Sequence, residues 1–73
     1  MNDKVEFFLD GSEFIELKNL LKITGLCDTG GEAKNAIEQG NVLVDGILEI
    51  RKAYKVKAGQ IVSYDNKKIK VIS

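Results

Sequence analysis

A chain of 73 residues, 44% hydrophobic and with eleven basic against eleven acidic groups, has room for one domain, 1–73, and enough apolar side chains to fold it. A single cysteine, Cys27, excludes an internal disulfide framework, and the absence of histidine removes the commonest general base, the Ser-His and Cys-His nucleophile systems and most zinc sites. Neutrality hides a division, since residues 1–50 carry four basic groups against ten acidic ones and residues 51–73 carry seven against Asp65 alone.

The segment Met1-Asn2-Asp3-Lys4-Val5-Glu6 lacks the basic start and apolar run of a leader peptide, and no stretch is long enough to span a bilayer. A soluble, cytoplasmic, monomeric protein without a membrane partner is expected. Val5 to Leu9 reads as a strand broken by Asp10-Gly11-Ser12. A first helix follows, with Leu17, Leu20, Leu21 and Thr24 on one face, Lys18 and Lys22 on another, and Gly25 at the exit. Leu26 and Cys27 should pack beneath a link of about four residues to a second helix.

That second helix is written locally. Thr29 and Glu32 fit a capping box, in which the hydroxyl accepts from the N3 amide and the carboxylate reaches back to the N-cap amide, so the helix begins at Gly30. Ala33, Ala36 and Ile37 form its apolar stripe and Gly40 ends it. Val42-Leu43-Val44 and Ile47-Leu48-Glu49-Ile50 then read as two strands of a hairpin turned by Asp45-Gly46. Arg51 to Lys55 is a basic connection, Lys57-Ala58-Gly59-Gln60 a turn, and Ile61 to Tyr64 a strand. After the turn Asp65-Asn66, Lys68 to Ile72 alternates lysine with apolar residues, giving one solvated cationic face and one buried face.

Little of this carries chemistry. Cys27, beside Leu26 in a short link, reads as a small core residue rather than a nucleophile. The glycines at 25 and 30 have the separation of a phosphate-binding P-loop, but Gly31 and Glu32 stand where Lys and Ser or Thr are required. Exposed amides at the start of the second helix still suit one phosphate of a polymer backbone, while the plainer role of Gly30 and Gly31 is close helix approach. The scattered carboxylates do not form a calcium loop, and neither a metal nor a cofactor is expected. The basic second half suggests a surface for an anionic partner, against the plainer reading of lysines that keep a sheet edge from aggregating.

Taken together, Leu17-Lys18-Asn19-Leu20-Leu21-Lys22, the link Gly25-Leu26, the helix Thr29 to Gly40 and the hairpin Val42 to Gly46 resemble the RNA-binding domain first named from small-subunit ribosomal protein four, the alpha-L motif. The pattern concerned is a leucine-rich helix, a small-residue link, S/T-x-x-E-A-x-x-x-I-x-x-G and V-x-V-N-G. The resemblance covers about residues 15–62 and looks like the small stand-alone bacterial members. It implies an α+β fold, two helices on a small, mainly antiparallel sheet of about four to five strands. Two positions depart from the family: Gly30 stands where many members carry arginine, and Asp45 where they carry asparagine.

The function the resemblance implies is non-catalytic binding of structured RNA, with ribosomal RNA as candidate target. Its site would comprise Lys18, Lys22, Thr29, Gly30, Gly31, Lys34, Arg51, Lys52 and Lys55, neutralising backbone phosphates and reading shape more than sequence. Tyr54 suits either base stacking or the core. The competing reading is a protein-interaction module associated with ribosome or replication factors, suggested by the neutral total charge and the acidic first half.

Overall fold

The computed structural model describes residues 4–73; Met1–Asp3, part of the segment expected not to be a leader, lie outside the described residues. Seven strands and two helices follow in the order β1 (Lys4–Phe8), β2 (Ile15–Glu16), α1 (Leu17–Ile23), α2 (Gly30–Glu38), β3 (Val42–Val44), β4 (Ile47–Leu48), β5 (Lys55–Val56), β6 (Ile61–Tyr64) and β7 (Lys67–Ile72). Five of the strands form one sheet in the order β1-β7-β6-β3-β4, and β2 pairs with β5 in a separate two-stranded ribbon. The architecture is the expected α+β one. The pairing of β1 with β7 is parallel and every other pairing is antiparallel. Among the described residues no helix is long and apolar enough to cross a membrane.

The core follows from the two periodicities. At helical spacing, α1 buries Leu17, Leu20 and Leu21 and α2 buries Ala33, Ala36 and Ile37. At strand spacing, β3 contributes Val42 and Val44, β6 contributes Val62, and β7 contributes Ile69 and Val71. These side chains form one cluster, so both helices cover the same face of the sheet. Cys27 is buried in that cluster and Leu26 packs against it, as a link lying under two helices requires. Burial pushes the Cys27 thiol above its ordinary range, with Glu32 adding to the effect.

Three local expectations need correction. Thr29 does accept from the Glu32 amide at 3.1 Å, but the Glu32 carboxylate accepts from Asp28 N–H at 2.6 Å, one residue before the N-cap amide. The helices are joined by six residues, Thr24 to Thr29, because each end spends residues on its cap. The hairpin's second strand stops at Leu48: Glu49 N–H still donates to Val42 C=O at 3.1 Å, and beyond it the chain turns, with the Glu49 carboxylate accepting from the Arg51 amide at 3.1 Å.

The exit from α2 is a Schellman motif. Asn41 N–H donates to Ala36 C=O at 3.0 Å and Gly40 N–H to Ile37 C=O at 3.1 Å, around Gly40 at φ +81°. A Cβ there would have room, with Leu48 Cδ1 nearest at 3.6 Å, so the conformation and not a clash reserves the site for glycine. Gly40→Ala is therefore expected to destabilise by about 1–2 kcal/mol. Gly30→Ala, at the first helical position with nothing within 4 Å, is expected to stabilise by about 0.4–1 kcal/mol. Urea melts of the two variants check both signs.

Candidate functional site

No side chain caps the start of α1. Its N-cap, Glu16, makes no such bond, and the first amides of any helix are orphans. Here they are satisfied from a distance in sequence: Leu17 N–H donates to Tyr54 C=O at 2.9 Å and Lys18 N–H to Lys52 C=O at 3.0 Å. The basic connection thus turns its carbonyls toward the positive end of α1 and leaves the side chains of Arg51, Lys52 and Lys55 exposed. The β2–β5 ribbon, with Ile15 opposite Val56 and Glu16 opposite Lys55, anchors the far end of the loop. Lys18 joins this patch through its backbone, and Lys22 continues it one turn along α1.

A second tether runs to α2. Lys52 Nζ lies 3.8 Å from an oxygen of Glu38, the last residue of that helix. Lys34 precedes Glu38 by four residues, so Lys34, Glu38 and Lys52 succeed one another along its exposed side. Thr29, Gly30 and Gly31 sit at the opposite end of the helix, about 12 Å away at 1.5 Å per residue. Carboxylates crowd that end, with Glu32 on the Asp28 amide, and the Thr29 hydroxyl is occupied by the Glu32 N–H. Lys18, Arg51, Lys52 and Lys55 are gathered directly, Lys34 and Lys22 extend the patch, and the Thr29-Gly30-Gly31 end stands apart from the loop.

The loop cations are held in place. Arg51 Nε donates to Glu49 Oε2 at 2.8 Å and Arg51 Nη2 to Oε1 at 3.1 Å, and this side-chain hydrogen bonding keeps the Glu49 carboxyl below its ordinary value. The same guanidinium lies 5.2 Å from the centre of the Tyr54 ring, and Lys55 Nζ lies 5.0 Å from that of Phe14. Tyr54 is half-buried against the core, its hydroxyl accepting from Gln60 Nε2 at 3.0 Å. Cations already directed by a partner or a ring give up little side-chain entropy when an anion arrives.

Reading the sequence missed two kinds of participant. Gln60 ties the loop together: its Oε1 accepts from Lys57 N–H at 2.8 Å, while its Nε2 donates to Tyr54 and, at 3.4 Å, to Asp45. Asp45 also accepts from Ile61 N–H at 2.9 Å, so the departure from asparagine has a structural use. Lys57 lines the same depression as Arg51, Lys52 and Lys55. The signal that marks it is the alternation Lys55, Lys57, which puts both on one side of an extended strand. Glu38 and Glu49, read only as part of an acidic half, are the counter-ions of the patch.

Such a surface can neutralise a row of negative charges. Among known proteins, the family model for the S4 domain matches residues 7–72. The chain is 42% identical over 67 residues to YbcJ of Escherichia coli (strain K12), a match spanning 92% of this chain and 96% of that protein. It is equally similar to YbcJ of Shigella flexneri. A tyrosine–tRNA ligase of Ralstonia nicotianae shares 46% identity over 48 residues, 66% of this chain and 12% of the ligase. The solution structure of the Escherichia coli YbcJ, described as revealing an alpha-L motif involved in RNA-binding, matches with a TM-score of 0.77 at 40% identity, covering 100% of this chain and 92% of that one.

Proposed function

The chain belongs to the S4 domain family, and from that membership we propose that it is an RNA-binding module that holds structured RNA, with ribosomal RNA as its target, by the phosphate backbone. The loop residues Arg51, Lys52 and Lys55 form the centre of the surface, Lys18, Lys22 and Lys34 its extension, and the open helix start at Thr29, Gly30 and Gly31 a separate, weaker contact. The observation that carries this reading is the pair of hydrogen bonds from Leu17 and Lys18 to the Tyr54 and Lys52 carbonyls. They turn a basic stretch, distant in sequence, into a fixed wall against the first helix. A surface of this kind recognises phosphate positions and therefore RNA shape, and it works as a monomer in the cytoplasm.

Phosphate neutralisation releases counter-ions, so affinity falls with salt. With Lys34, Arg51, Lys52 and Lys55 each meeting one phosphate, a plot of log affinity against log salt for a ribosomal RNA stem-loop should have a slope of about −3. A flat dependence overturns the proposal. The competing protein-interaction reading draws on the aliphatic side chains of Ile47, Leu48 and Ile50, exposed along and beyond β4. It predicts binding to a ribosome or replication protein that survives nuclease, and no salt-dependent RNA binding.

A further inference from the structure

Four of the seven basic residues after position 50 lie outside the stretch Arg51 to Lys55, and three of these, Lys67, Lys68 and Lys70, stand on β7. Lysines on a sheet are ordinarily read as guards of an unpaired edge. That reading does not apply here, because β7 is an interior strand, paired with β1 on one side and β6 on the other. Ile69 and Val71, which alternate with the lysines, are fully buried beneath the helices, so Lys68 and Lys70 project from the face that the helices leave open.

The register shows what surrounds them. Lys68 is flanked by Lys4 of β1 and Ser63 of β6, and Lys70 by Glu6 and Ile61. Lys4 and Lys68 therefore stand side by side in the register. Among the described residues, the acidic groups near this row are Glu6, beside Lys70, Asp65, which lines a depression with Lys68, and Asp45, whose carboxylate is already taken by Ile61 N–H and Gln60. Lys4, Lys68 and Lys70 line a shallow groove together with Val5, Glu6 and Ile61. Around that groove the lysines outnumber the acids on neighbouring strands, and their spacing complements a chain of phosphates.

The geometry points to a second phosphate-binding surface: Lys68 and Lys70, with Lys4 beside them, hold the backbone of a further RNA segment on the face of the sheet opposite the helices. This rests on the RNA-binding function proposed for the loop and adds a consequence of its own. With cations on both faces of a body about 23 Å in its thinnest direction, one chain bridges two RNA segments instead of lying on one.

The test uses the full chain and a short RNA duplex long enough to fill one face. The parent is expected to take up two duplexes by native mass spectrometry, Lys68→Glu/Lys70→Glu one, and Arg51→Glu/Lys52→Glu one. The β7 variant should also flatten the salt slope for a larger structured RNA by about 1.5 and weaken its binding about tenfold. Lys68→Ser/Lys70→Ser, which removes charge without adding any, should show the same loss of the second duplex in a protein whose thermal melt is intact. One duplex per parent chain, or β7 variants that bind as the parent does, would overturn this inference and leave the loop surface standing. A parent that binds no RNA overturns both.

Discussion

Arg51→Glu/Lys52→Glu should bind structured RNA about a hundredfold more weakly than the parent, taking about 1.5 kcal/mol for each charge-assisted hydrogen bond to phosphate that is removed. The effect is large because the two residues are more than charges on a loop. Arg51 is forked onto Glu49 and lies over Tyr54, and Lys52 reaches Glu38. Reversal puts carboxylates at positions 51 and 52 beside Glu49 and Glu38, so each counter-ion becomes a repulsive neighbour and the side chains repel phosphate instead of meeting it. The two hydrogen bonds from α1 to the loop involve main-chain carbonyls and survive the substitution, so the thermal melt should move little. Fluorescence anisotropy with a labelled stem-loop reads the affinity, and unchanged binding would move the RNA interface away from this loop.

The largest effect on stability is expected from Leu20→Ala. Leu20 is fully buried between the helices and the sheet, and its carbonyl also accepts from the Thr24 hydroxyl at 2.7 Å. Truncating a leucine in such a site costs about 3–5 kcal/mol, the transfer of the deleted methyl groups plus the cavity they leave. A chain of this size commands only about 4–11 kcal/mol in all. A urea melt should show the midpoint falling by about a quarter or more, with RNA binding recovered at low temperature where the protein is still folded. A small shift instead would mean that α1 collapses onto the sheet to fill the space.

What could be read from the sequence was whatever is settled between near neighbours. The cap at Thr29, the apolar stripe Ala33, Ala36 and Ile37, the exit at Gly40 and the turn at Asp45-Gly46 each depend on residues within four or five positions, and each is found. The start of α1 was not legible in the same way, because its partners are the carbonyls of residues 52 and 54, more than thirty positions on. The β2–β5 ribbon has two residues per strand, too few for alternation to show. For the basic patch, the sequence supplied the residue types, and the tertiary structure added Lys57, Gln60 and the two counter-ion glutamates. The Glu32 carboxylate missed its expected amide by one residue, a shift that a spacing pattern cannot resolve.

The parallel pairing of the first strand with the last has a kinetic consequence. Lys4 meets Lys68 across 64 positions, whereas the hairpin at Asp45-Gly46 closes across three, from Val44 to Ile47. Closing so long a loop costs about 4 kcal/mol of chain entropy before any packing repays it, and pairings of such high sequence separation form late. The helix pair and the antiparallel strands β3, β6 and β7 can assemble first, across shorter loops, and β1 docks afterwards onto a finished edge. Release of β1 uncovers one side of β7 while the helix face and the basic loop stay assembled.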